Sequence, residues 1–315
     1  MIAVTLAIEL LLMNGIGIFI RKSGISNQEF SNKLTTMILK ICIPCLIFNS
    51  ISNSTEFSIE TLSNCAIIVV LATAAVLLSL GIGQIFYLLN KGSGMGRVFR
   101  YGLGLCNFSF MGIPVIEALF GTMGTFYYSF FLIPVRIVYY TMSEPLMTPK
   151  ELKHGKQQPL SKTLKDIFLN PCLVAFVIGL IFWVAGWHLP TPINNCIKNV
   201  GAISSPLALL LCGMVIGEHN FKRLLHVKYL FLPLLRTIAM PALFFCISKL
   251  LLVIGVDELL CKMLVIYSAF PVASLLPIYA VRFDPEPENH LSAAASCIIS
   301  VLLCAITIPI WYMFL

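Results

Sequence analysis

Few side chains in this sequence are equipped for chemistry, and they gather in two places. Asn107, Ser109, Gly112 and Pro114 stand within Asn107-Phe-Ser-Phe-Met-Gly-Ile-Pro114, and Ser268, Pro271, Ser274 and Pro277 within Ser268-Ala-Phe-Pro-Val-Ala-Ser-Leu-Leu-Pro277. Both stretches interrupt long apolar runs, one in each half of the chain. Proline has no N–H and clashes with the preceding turn, so carbonyls near it lose their helical partners. In lipid such groups are tolerated only where protein or a watery cavity satisfies them. Two proline-broken spans therefore point to an ion or substrate site at mid-membrane depth. Asn107 brings donors and an acceptor into a segment with few polar groups. Gly112 lets backbone and ligand approach closely. The serines offer hydroxyls, although serines in membrane helices commonly bond their own backbone.

The charges inside apolar runs come next. Glu117 lies about one turn beyond Pro114, and an intramembrane carboxylate is costly and generally functional. It is a candidate for proton coupling, or for pairing with a structural arginine. Arg136 and Arg236 are the deepest basic residues and can balance Glu117 or an anionic substrate; an ion pair is their plainer role. No catalytic constellation is present, since neither H-E-x-x-H nor serine-triad spacing occurs. The 11 cysteines lie almost entirely in apolar runs, where free cysteine behaves as a small hydrophobe. Cys42 and Cys45 flank Pro44 without a second ligand pair at metal spacing. Neither metal nor cofactor is expected, and an enzyme is the weakest reading.

The elements that must position these residues follow from composition. The chain has 315 residues, 58% hydrophobic and 11% charged, with a mean hydropathy of +0.93. Soluble domains carry about 25% charged residues, so this is an all-α integral membrane protein. Spans are expected near 3–20, 34–52, 64–89, 101–120, 125–143, 167–187, 197–217, 229–254, 261–281 and 291–314. The first has no basic segment before it and leads straight into the second, so it is expected to remain as a helix. Of the 21 Lys and Arg, 15 fall in alternate connections, including Arg21, Arg97, Lys153, Arg223 and Arg282. Positive loops stay cytoplasmic, which places the central loop inside and both termini outside the cell membrane. The net charge of +7 follows from that bias and requires no nucleic acid. The basic loop reads first as a solvated connector that fixes topology, with weak contact to anionic membrane lipid headgroups as the alternative.

That loop, residues 144–166, divides a first five-helix repeat (1–143) from a second (167–315). An odd number of spans per repeat gives the two halves opposite orientations. Gly17 and Gly179, and Pro44 and Pro206, recur at the same offset, and both breaks fall in the fourth span of their half. Broken helices four and nine then cross, with the half-helices beyond Pro114 and beyond Pro271 or Pro277 aiming partly positive ends at a shared point. Free N–H groups there suit a carboxylate; carbonyls released by the preceding half-helices suit a cation. The pattern favours the anion only mildly.

At these residues the chain resembles the auxin efflux carrier family, which includes plant carriers and bacterial transporters of small organic acids. The similarity rests on the Asn107–Gly121 stretch, on Ala269–Arg282 with its two prolines six apart, and on the opening from Gly15 to Phe48. It implies a ten-helix inverted-repeat carrier of the bile-acid/sodium symporter-like fold. Scaffold and transport domains are each drawn from both repeats, transport is by an elevator-like movement, and the carrier is a homodimer. The family's crossover prolines map onto Pro114 and Pro271, and its substrate-contacting asparagine onto Asn107. The short central loop, and Glu117 where plant relatives are expected to carry a basic residue, favour a smaller carboxylate than auxin. The expectation is a secondary transporter of small organic anions such as malonate, malate or lactate, with a proton or sodium ion left open for coupling. The alternatives are a sodium-coupled carrier of another organic anion and an anion-sensing module that moves nothing.

Overall fold

A chain this apolar has to satisfy its backbone inside lipid, and the helix does so within one segment. The computed structural model describes residues 2–54, 58–149, 169–218 and 226–315. Among these it is helical, with an isolated bridge in place of strands. The helices are α1 (Ile2–Lys22), α2 (Gln28–Ser52), α3 (Ile59–Leu89), α4 (Gly94–Gly104), α5 (Phe108–Met147) and α6 (Pro171–Ala185). They continue as α7 (Thr191–Gly217), α8 (Val227–Val253), α9 (Glu258–Ser268), α10 (Leu276–Phe283) and α11 (Pro287–Phe314). Six of them, α2, α3, α5, α7, α8 and α11, are long and apolar enough to cross a membrane. Large side chains such as Leu12, Phe19, Val70, Leu89, Val184 and Leu250 are exposed around the outside. Water would penalise so extensive an apolar surface, whereas lipid requires it. The protein is a multi-pass membrane protein.

Caps set several helix starts: Asn27, Ser58, Ser93, Asn170 and Asp257 each accept a backbone N–H of the first turn. The cap at Asn27 begins α2 well before the expected residue 34. The connection expected at Gly121–Gly124 falls where the chain folds sharply between two helical segments of α5. Gly121 has φ 61° and ψ −153°, a conformation open to glycine and costly for any side chain. A Cβ on Gly124 would lie 3.3 Å from the Ile116 carbonyl, although eight residues of straight helix span about 12 Å. The chain therefore turns back at Gly121 without leaving helical hydrogen bonding for long. The expected linker over 144–166 starts within α5, and its residues from 150 onward lie outside the described residues. So do His219, Lys222 and Arg223.

Proline leaves a common signature. Single π-helical turns occupy Ile38–Cys42, Phe108–Gly112 and Leu235–Ala239, each ending two residues before Pro44, Pro114 or Pro241. A proline cannot donate to the carbonyl four residues back, so the ladder widens by one residue ahead of it.

The helices pack through contacts between distant parts of the sequence, and α1 also touches α11. Helix α1 lies on α7, and α2 on α6 and α7; α3 packs on α4 and α5, while α8 packs on α9 and α11. Ion pairs tie several connections to their neighbours: Arg21 meets Glu218 at 2.9 Å, Arg97 meets Asp284 at 2.9 Å, Lys228 meets Glu288 at 2.7 Å and Arg282 meets Glu144 at 3.4 Å. Small residues bring the first pair of helices close: a Cβ on Gly17 would sit 2.8 Å from the Gly213 Cα, and one on Gly213 2.9 Å from the Asn14 Cα. Gly213→Val is expected to destabilise the protein by about 1–3 kcal/mol through overpacking, read as a lower thermal midpoint in detergent. Gly15→Val, with nothing within 4 Å of the new carbon, should leave the midpoint unchanged.

Candidate functional site

The two interruptions lie side by side. Between α4 and α5 the chain is extended at Leu105–Asn107, and between α9 and α10 it is extended around Val272. Cys106 and Val272 form an antiparallel bridge. The Asn107 N–H donates to the Pro271 carbonyl at 2.8 Å, and the Ala273 N–H to the Leu105 carbonyl at 3.4 Å. Each break thus supplies the backbone partners that the other lost, which buried backbone groups demand.

Arg236 satisfies what remains between them. It sits in the π turn of α8 and is 1% exposed. Its Nε donates to the Phe270 carbonyl at 3.0 Å and its Nη1 to the Leu103 carbonyl at 2.7 Å. These carbonyls lie at the C-terminal ends of α9 and α4, where the helix dipole is negative. One guanidinium therefore holds and neutralises both ends. Helix α11 adds a row of small polar groups at spacings of three and four. Cys297 donates to the Ala273 carbonyl at 3.4 Å, Ser300 accepts the Val272 N–H at 3.1 Å and Cys304 donates to the Ala269 carbonyl at 3.0 Å. From α5, the Tyr128 hydroxyl donates to the Phe108 carbonyl at 3.0 Å.

The opposite pole is left open. The Asn107 side chain is buried and its Oδ1 accepts the Phe110 N–H at 3.1 Å, capping α5. Its amide nitrogen donates to nothing among the described residues. At the start of α5 the N–H groups of Phe108 and Ser109 are likewise without partners there, as are those of Ser274 and Leu275 ahead of α10. Ser109 is half-buried and Ser274 exposed. Pro277 stands in the first turn of α10, where no proline N–H is missed, and Pro114 follows the π turn of α5. Two expected residues face protein instead. Ser268 is buried and donates back to the Val265 carbonyl at 2.6 Å. A Cβ on Gly112 would meet the Tyr128 hydroxyl and come within 3.0 Å of the Phe270 ring, so this glycine admits protein side chains.

Glu117 occupies the flank of the same break. A cavity of about 240 Å³ is lined by Glu9, Pro114, Glu117, Ser205 and Pro206 among others, and the Ser205 hydroxyl donates to the Glu117 carboxylate. Among the described residues no basic side chain lines it. The ion pairs expected for the two deep arginines do not form among the described residues. Arg236 is held by carbonyl dipoles in place of a carboxylate, and Arg136 lies in a separate groove beside α6.

Several of these residues escape a reading of the sequence. Glu9 and Ser205 are distant in sequence from Glu117, and Tyr128 is one aromatic among many. The row Cys297, Ser300 and Cys304 did carry a signal, because its spacing marks one face of a helix.

A family model described as "Membrane transport protein" matches residues 2–312. An uncharacterized transporter of Methanocaldococcus jannaschii is similar, 23% identical over 317 residues that cover 99% of this chain and 98% of the relative.

Removing the Arg236 clamp strands two buried carbonyls at about 1–3 kcal/mol each. Arg236→Met is therefore expected to lower the thermal midpoint sharply. Arg236→Lys keeps the charge but lacks the planar fork, and should fall between the two. Equal midpoints for all three proteins would show that the clamp contributes nothing.

Proposed function

Because the chain belongs to this membrane transport protein family, the auxin efflux carrier family of the resemblance, we propose that it is a secondary transporter of small organic anions. The observation that carries the reading is the asymmetry of the paired breaks. Their carbonyl pole is already filled by the Arg236 guanidinium, which leaves little there for a sodium ion to coordinate. Their N–H pole, with Asn107, Ser109 and Ser274, retains donors that suit a carboxylate. The anion binds between the starts of α5 and α10, against Asn107, Pro114, Pro271 and Pro277.

On this reading the chain has ten spans in a five-plus-five inverted repeat. The split linking segment α4–α5 and the segment α9–α10 are the crossing helices four and nine. The group α1, α2, α6 and α7 is the scaffold, through which two copies associate. The group around α3–α5 and α8–α11 carries the substrate in an elevator-like movement. The central loop and the end bearing Arg21, Arg97 and Lys228 face the cytoplasm. Glu117 lines the cavity beside Pro114, and its protonation couples to anion binding. A proton, not sodium, is then the coupling ion.

Counterflow of labelled malonate, malate and lactate in proteoliposomes tests this directly. We expect exchange of at least one of them, undiminished when potassium replaces sodium. Asn107→Ala should weaken it about 10–100-fold, the loss of a hydrogen bond to a charged group. A sodium requirement would favour the sodium-coupled alternative, and binding without exchange would favour an anion sensor.

Acidifying the outer side should accelerate net uptake by wild-type protein, since Glu117 must take up a proton with the anion. Glu117→Gln should remove that acceleration while preserving exchange. An unchanged pH profile in this variant would take Glu117 out of coupling.

A further inference from the structure

Arg136 presents a separate problem. It lies in the folded-back half of α5 and is 6% exposed, yet its Nη2 is buried without a hydrogen-bond partner among the described residues. No carboxylate among them pairs with it. A buried guanidinium without a counter-charge is expensive, so an anion supplied from outside the chain would stabilise it.

The surroundings define that anion. Arg136 lines a groove of about 390 Å³ between α5 and α6. At one end the Asn170 amide donates to the Tyr140 hydroxyl at 2.8 Å, beside the start of α6. Arg136 is about one helical turn from Tyr140 along α5, about 6 Å away in rise. From there the groove runs away from the helix boundary over Ile137, Val174 and Val177, which are exposed. Its polar end thus lies near a helix terminus, and its apolar length lies along helix surfaces that face lipid. A small soluble carboxylate has no use for that apolar length.

We infer that this groove binds an anionic phospholipid, with the phosphate against Arg136, Tyr140 and Asn170 and an acyl chain along Ile137, Val174 and Val177. Arginine suits this role because its planar fork pairs with phosphate oxygens. The site is separate from the paired breaks and stands whether or not the proposed substrate is correct.

The test compares full-length protein in nanodiscs of phosphatidylcholine with nanodiscs containing phosphatidylglycerol, alongside native mass spectrometry of retained lipid. Wild-type protein should retain phosphatidylglycerol preferentially, and its thermal midpoint should rise by about 3 °C with that lipid. Arg136→Gln should abolish both effects. Should that variant fail to fold, Val177→Trp fills the apolar part of the groove with Arg136 intact and should also lose the retained lipid. Equal midpoints for wild-type protein in the two lipids would overturn the site, as would full lipid preference in either folded variant. Soluble glycerol phosphate, added to protein in phosphatidylcholine, should leave the midpoint unchanged; an Arg136-dependent rise would overturn the lipid assignment in favour of a soluble anion.

Discussion

The structure turns on backbone groups that have no water to bond. Two helices are interrupted within an apolar chain, and every N–H and C=O set free must find a partner in protein or face a watery cavity. The extended segments at Leu105–Asn107 and around Val272 solve most of this by bonding to each other. Arg236, Tyr128 and the Cys297–Ser300–Cys304 face of α11 satisfy carbonyls and an N–H that the pairing leaves over. The neighbouring helices are thereby committed: α8 must bring its π turn inward, and α11 must present one face to the second break.

That arrangement is uneven in a useful way. The C-terminal ends of α4 and α9 share a fixed internal cation, whereas the starts of α5 and α10 keep unbonded donors. On the proposed reading, this unevenness selects an anion and makes sodium dispensable. It also explains how Arg236 tolerates burial without a carboxylate, since helix-end dipoles and direct carbonyl bonds provide its compensation. The carboxylates Glu9 and Glu117 line the cavity on the flank of the first break.

Much of this was legible in the sequence because prolines and hydropathy act locally. The breaks at Pro114 and Pro271, the helical membrane class and the depth of Arg236 follow from residue type and spacing alone. The family resemblance was carried by the same residues that form the pairing. What escaped was tertiary. An arginine inside a span suggests a carboxylate partner, and only the packing of α8 against both breaks shows carbonyls in that place. Gly112 and Ser268 looked like ligand positions because a sequence does not show that Tyr128, Phe270 or a residue's own helix occupies the same space. At Gly121 the expected gap between two spans is a single positive-φ glycine that folds the chain back between helical segments.

Direct meeting of the two breaks is the claim on which the rest depends, and cysteine crosslinking measures it. Facing residues in a non-hydrogen-bonded antiparallel pair have Cα atoms about 4.5 Å apart, within disulfide reach. Cys106 is already present, so Val272→Cys supplies the second thiol, and peptide mapping after membrane-permeant oxidation distinguishes this bond from those of other cysteines. A disulfide between Cys106 and the thiol introduced by Val272→Cys, formed in high yield in folded protein, is the expected result. Its absence under oxidation that crosslinks other near pairs would contradict the pairing, and with it the site built upon it.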